Sequence, residues 1–153
     1  MQYEVICDET NNPMLNIQSP VPTYSVPRRG YVFVHRGISG IYAGIQLAHA
    51  LARLVHDQYA NTDMIEWIQN HETLVALDGG NSDNMNQIMG ILYGADNVFA
   101  SFNEPDMNNM VTAIAYVPSE DEMLDIEFYK NNKELIPTNP VIDLLIKTRT
   151  HKG

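Results

Sequence analysis

The sequence predicts an α/β domain, a small four-stranded mixed sheet flanked by helices, with an extended N-terminal arm and a helical C-terminal tail. Three observations carry this prediction. β-Branched and aromatic runs recur between residues 31 and 118. Segments with helical apolar spacing separate the first three of them. The resulting order, β-α-β-α-β-β with short connections, builds a mixed sheet with helices packed against it. A chain of 153 residues that is 44% apolar is long enough to bury one real core.

Residues 1–30 read as an arm. Pro13, Pro20, Pro22 and Pro27 interrupt it, with Asn11, Asn12 and Gly30 as further breakers. One short strand is expected from Tyr3 to Cys7, and the rest is expected to run extended. Tyr31 to His35 is the first strand of the domain. Arg36 to Gly40 is a turn, with Ser39 as helix N-cap. The helix that follows runs from about Ile41 to Tyr59 with Ile41, Ile45, Ala48, Ala52 and Val55 as its apolar stripe.

Met64 to Asn70 is a short helix that packs Trp67, and Thr73 to Leu77 is the second strand. Asp78-Gly79-Gly80-Asn81 turns into a helix whose stripe of Met85, Ile88, Met89 and Leu92 reads as core. Asn97 to Phe102 is the third strand, Asn103 to Met110 a polar loop and Val111 to Val117 the fourth strand. Residues 31–118 make the domain and 119–153 the tail. Ser119 and Glu122 fit a capping box for a helix to about Asn131. Asn139 and Pro140 start a last helix over Val141 to Thr148. Its Ile142, Leu145 and Ile146 need cover, from the domain or from another subunit, so a homo-oligomer is expected.

Charge narrows the function. The chain has 9 Lys+Arg against 19 Asp+Glu, a formal −10. No lysine precedes Lys130, and between residues 31 and 118 the only formal cations are Arg36 and Arg53. Nucleic-acid backbones are gripped by several cations, so that partner class is disfavoured. A small anion needs only a few arginines, backbone amides or a helix N-terminus. Cys7 is the sole cysteine and forms no metal or redox motif. With no secretory leader and no apolar run of membrane length, a cytoplasmic location is the expectation.

Gln46, His49, Arg53 and His56 share one helix face. The stripe as a whole is read as partly solvated, with His49 hydrogen-bonded at the core edge. The sharper reading lines a ligand cleft with Gln46, His49 and Arg53 beside His35 and Arg36, and for Arg36 and Gln46 the cleft is favoured. Glu104, Asp106, Asn108 and Asn109 form a polar loop at a strand end, either a plain turn or a ring of donors and acceptors for a base or ribose. Arg28-Arg29 is a solvated pair or folds over the cleft. No phosphate-loop, GxSxG or HExxH pattern is present, and neither a metal nor a cofactor is assigned.

The run Gln46-Leu47-Ala48-His49-Ala50, after a strand ending Val34-His35-Arg36-Gly37, resembles the first strand, loop and helix of type II peptidyl-tRNA hydrolases. That helix reads K-x-x-x-Q-x-x-H-A. The likeness covers most of residues 31–118 and implies the fold of that family. It extends more loosely to small hydrolase-like proteins encoded by bacteriophages. The lysine position of the family is Tyr42 here. The family aspartate after the third strand, with its Gly and Thr-Gln, falls in the segment Asn103 to Asn109, where Glu104 or Asp106 stands for the aspartate and Asn108-Asn109 for the Thr-Gln pair.

Ester cleavage needs an activated water and stabilisation of the developing oxyanion, and a tyrosine carries no positive charge at neutral pH. The expectation is therefore a repurposed cleft that binds a small nucleotide or anionic metabolite without turnover. In a phage protein, the role would be sequestration of a host nucleotide immune signal. The ligand set is His35, Arg36, Tyr42, Gln46, His49, Arg53, Glu104, Asp106, Asn108 and Asn109. The alternatives are an active peptidyl-tRNA hydrolase or related esterase, using Glu104 or Asp106 with His49 or Tyr42, and a protein-interaction module.

Overall fold

A computed structural model describes residues 4–7, 13–16, 26–95 and 97–153. The first two segments are strands β1 (Glu4–Cys7) and β2 (Pro13–Asn16), paired antiparallel from Glu4–Asn16 to Cys7–Pro13. β1 matches the strand expected in the arm. β2 is a correction, since only one short strand was expected in the arm, with the rest running extended. Pro13 sits at the first position of its strand, where a missing N–H is tolerated. The remainder of residues 1–25 lies outside the described residues.

The domain is a small α/β fold with one four-stranded mixed sheet and, among the described residues, five α-helices. The strands are β3 (Gly30–Val34), β4 (Leu74–Asp78), β5 (Phe99–Glu104) and β6 (Met110–Tyr116). Their order is β4-β3-β6-β5, with β3 and β4 parallel and the other neighbours antiparallel. Helix α1 (Gly40–Asp57) and α2 (Thr62–Asn70) form the crossover of the parallel pair. Helix α3 (Ser82–Gly94) links β4 to β5. Helices α4 (Glu120–Asn131) and α5 (Pro140–Lys147) follow β6.

Each face of the sheet carries its own core. Side chains alternate along a strand, so Tyr31 and Phe33 of β3 join Ile114 and Tyr116 of β6 on one face. There they meet Met85, Ile88 and Leu92 of α3, Met123 and Ile126 of α4, and Val141, Ile142 and Leu145 of α5. The apolar side of α5, which the sequence left without cover, is thus buried by its own chain. Val32, Val34, Ala113, Ala115, Ala100 and Phe102 face the other way, against α1 and α2.

That second face overturns the stripe expected for α1. The buried residues are Ala43, Gln46, Ala50 and Leu54. Ile41, Ile45, Ala48 and Ala52 are exposed, Ile41 to 75%. Outside the stripe of Gln46, His49, Arg53 and His56 the helix is largely apolar, so periodicity alone does not say which apolar side is buried. The sheet does: alanines at 100, 113 and 115 let the small side of α1 approach closely, and bulky Ile41 and Ile45 are turned out.

The ends of elements follow local chemistry. Asn61 caps α2 by accepting the amides of Asp63 (3.0 Å) and Met64 (3.1 Å), and Asn81 caps α3 through Asn84. Ser119 and Glu122 form the capping box, and Asn139 with Pro140 starts α5. Ser39 occupies the N-cap of α1, but its hydroxyl makes no capping bond. Gly30 starts β3 because a Cβ there would lie 2.9 Å from the Trp67 ring, whose indole N–H donates to Thr73 O (2.8 Å).

After α5 the chain returns to the sheet. Asp78 N donates to Arg149 O and His151 N to Ala76 O, both at 2.9 Å, so residues 149–151 pair with the outer edge of β4. This covers part of an otherwise open edge. Among the described residues no helix is long and apolar enough to cross a membrane.

Candidate functional site

The cleft lies between α1 and the far end of β5. It has a volume of about 370 Å³ and is lined by the β3–α1 turn (Gly37, Ile38, Ser39), by Tyr42 and Gln46, and by Glu104, Asp106 and Met107. That size suits a small ligand. β5 runs on to Glu104, two residues past the expected end, with a bulge between Phe102 and Asn103. The strand therefore carries Glu104 up to the cleft instead of leaving it in a loop.

Gln46 is 95% buried, an unusual place for an amide, and its partners explain it. The hydroxyl of Thr112, fully buried on β6, donates to Gln46 Oε1. Gln46 Nε2 then donates to Glu104 Oε2 at 2.8 Å. A flipped amide would set its oxygen against the carboxylate, so the direction of the relay is fixed. The second oxygen of Glu104 accepts the Asp106 amide at 3.3 Å. Among the described residues, Glu104 is thus held by two neutral donors and by no cation, and no Lys or Arg lines the cleft.

Beyond Gln46 the α1 stripe becomes an aromatic ledge. His49 stacks on Phe102, centroids 4.4 Å apart and planes 14° from parallel. Arg53 extends over the same ring, its guanidinium carbon 5.1 Å from the centroid. His56 departs from the group: it is exposed on the last turn of α1 and pairs with Asp57. Of the expected ligand set, the fold brings Tyr42, Gln46, Glu104 and Asp106 into one cleft and sets His49 and Arg53 beside it.

The others are placed elsewhere. Asn108 and Asn109 are exposed, with φ of 56° and 57°, in the left-handed region that asparagine tolerates. Asn109 N donates to Glu104 O (3.0 Å) and Asn103 Nδ2 to Asn109 O (3.1 Å), so the pair closes the β5–β6 turn, the plainer of its two readings. Arg28 does not fold over the cleft. It is buried at the opposite end of the sheet, 2.8 Å from Asp63.

His35 and Arg36 lie across the β3–α1 turn from the cleft. His35 Nδ1 accepts the Gly37 amide (2.9 Å), so the proton sits on Nε2, which points to Ser82 Oγ at 3.1 Å. In that tautomer His35 donates to Ser82 and cannot serve it as a base. Burial also holds its pKa below the ordinary imidazole value.

Arg36 grips Asp78, with Nε 3.2 and 3.0 Å from its two oxygens and Nη2 3.0 Å from Oδ2. Arg149 approaches Oδ2 at 3.7 Å. The Gly80 amide also donates to Asp78 (2.9 Å), which the positive φ of Gly80 (73°) permits. Burial alone would raise the Asp78 pKa. The Arg36 and Gly80 hydrogen bonds and the two guanidinium charges outweigh it and hold the carboxyl below its ordinary value.

Thr112 and Phe102 are site residues that sequence reading missed. Each looks like an ordinary strand residue, and only the alternation of an otherwise apolar β6 hinted at a purpose for a buried threonine. Among the described residues no group of three or more His, Cys, Asp or Glu is placed to hold a metal ion. A scan against protein-family models and a search of curated proteins each give no match to the chain.

Proposed function

We propose that this chain binds a small nucleotide in the Gln46–Glu104 cleft without turning it over. The observation that carries the reading is the Thr112–Gln46–Glu104 relay, which fixes a carboxylate as a pure acceptor at the cleft wall. Such a group recognises N–H donors, as on the edge of a nucleobase. The Ser39 and Tyr42 side chains add neutral hydroxyls, and Ile38 and Met107 supply apolar contact.

The lining redraws the expected anionic ligand. Two carboxylates and no lining cation disfavour a phosphate inside the cleft, so it is the base that enters. The same lining argues against ester hydrolysis, because a developing oxyanion would find hydroxyls but no positive charge. Descent from a type II peptidyl-tRNA hydrolase remains part of the proposal. It is supported by the β-α-β crossover, by Gln46 and His49 on the cleft side of the first helix, and by Tyr42 in place of the lysine. Sequestration of a nucleotide signal by a phage protein fits a site that binds without chemistry.

Isothermal titration against a panel of nucleosides and nucleotides tests the reading. Binding is expected for bases that present donors, with about a tenfold loss in Glu104→Gln, where a charge-assisted bond becomes a neutral one. Absence of binding across the panel overturns it, as does turnover of a peptidyl-tRNA substrate by the pure protein.

A further inference from the structure

Across the β3–α1 turn from the cleft, Arg36, Asp78, Arg149, His151, Lys152 and Gly153 line a second concavity of about 180 Å³. Three of the chain's nine Lys+Arg meet there around one carboxylate. In a chain of formal charge −10 this is a local reversal of sign. Closing an ion pair on Asp78 needs one guanidinium, and Arg36 already supplies it through both carboxylate oxygens. Arg149 adds only a longer contact to Oδ2, at 3.7 Å, and among the described residues Lys152 makes no ion pair, so both keep donors for another partner.

The geometry favours an external anion. Asp78 is only 12% exposed, whereas the Arg36 and Arg149 side chains are 62% and 71% exposed. Arg36 spends Nε and Nη2 on Asp78, and its Nη1 amine makes no hydrogen bond to the described residues. The backbone of Arg149 is fixed at this edge, because its carbonyl accepts from the Asp78 amide. His151 is likewise pinned, N to Ala76 O and Nε2 to His35 O at 3.3 Å. Asp78 thus draws two guanidinium groups to one carboxylate, Arg36 through hydrogen bonds and Arg149 through the 3.7 Å contact, and clustered guanidinium groups recognise a phosphoryl group.

We propose that this corner is a phosphoryl-binding site that receives the phosphate end of the ligand. The pairing of the two sites rests on the proposed cleft reading. Their spacing supports it: Gly37, Ile38 and Ser39 line the cleft and Arg36 lines the corner. Three residues of chain span at most about 11 Å. A nucleotide whose base meets Glu104 can therefore lay its phosphate over the turn.

Backbone amide resonances followed during titration test the two sites separately. Inorganic pyrophosphate is expected to shift Arg36, Asp78, Arg149 and Lys152. Its affinity should fall about tenfold in Arg149→Gln/Lys152→Gln, which spares the backbone pairing, and measurably in Lys152→Gln alone. A nucleoside diphosphate should bind about tenfold tighter than its nucleoside, and adding free phosphate to the nucleoside should not restore the difference. Pyrophosphate that leaves the corner unmoved at millimolar concentration, or binds the double variant as well as the parent, overturns the proposal even if nucleosides bind the cleft. Pyrophosphate binding at the corner with no nucleoside bound anywhere sustains the corner and removes the cleft reading.

Discussion

The cleft and the corner are built by opposite means a few residues apart. In the cleft, an acid is held by a buried amide that a buried threonine orients, with the core ring of Phe102 beside it under His49. The Thr112–Gln46 bond is buried and the Gln46–Glu104 bond partly so. In the corner, an acid is held by two largely exposed arginines, one of them delivered by the returning C-terminal segment. A desolvated hydrogen-bond network defines position at high cost if broken, whereas exposed ion pairs give charge and adjustability at little cost. The cleft suits discrimination and the corner suits attraction.

The largest effect expected is on the aromatic ledge beside the cleft. Phe102→Ala should destabilise the fold by about 3–5 kcal/mol in chemical denaturation, since it empties core volume and removes the ring under His49 and Arg53. A loss as small as that of a surface change would mean the ring is not part of the core.

Next comes the relay. Thr112→Val and Gln46→Leu should each cost about 1–3 kcal/mol by stranding a buried partner. Together they should cost less than their sum, because the second change removes the group the first one stranded. Strict additivity in the double-mutant cycle would break the relay.

Asp78→Asn should be milder, about 1 kcal/mol or less, because the arginines it releases can hydrate. The Asp78 pKa is depressed, so its contribution is complete above the ordinary carboxyl value of 3.8 and is lost as pH falls below it. The variant should flatten that part of the acid-unfolding curve. Added salt should weaken pyrophosphate binding at the corner and leave nucleoside binding in the cleft nearly unchanged.

The smallest effect belongs to His35. Its depressed pKa means the fold prefers the neutral ring, so stability is complete above about pH 6.5 and declines as pH falls below it. His35→Gln should remove that slope from a stability-versus-pH series. A slope that persists would assign it to another group.

Much of this was legible along the chain. The strands of the sheet, the capping box at Ser119 and the Asn139-Pro140 start of α5 rest on local signals and stand within about a residue of where those signals put them, except β5, which begins and ends about two residues late. Gln46 and Glu104 were legible as candidates because a polar side chain after a strand–helix turn and an acidic strand end are both exposed to function. What failed was whatever depended on a partner far away in sequence. Ile41 and Ile45 read as core because they are large and correctly spaced, yet they face outward. His35 and Arg36 read as cleft residues because they adjoin the turn, yet the pairing of β3 with β4 brings Asp78, 42 residues later, to Arg36.

By itself, then, the sequence determined the elements, their order, and a net charge that leaves few cations to spend. The tertiary structure decided which face of α1 is buried, that Thr112 orients Gln46, and that the segment at Arg149 comes home to β4. The physical reason is range. Propensities, caps and turn chemistry act over a few residues. The choice between two apolar faces, or between Asp78 and Glu104 as the anchor for a cation, is made by packing and pairing across the sheet.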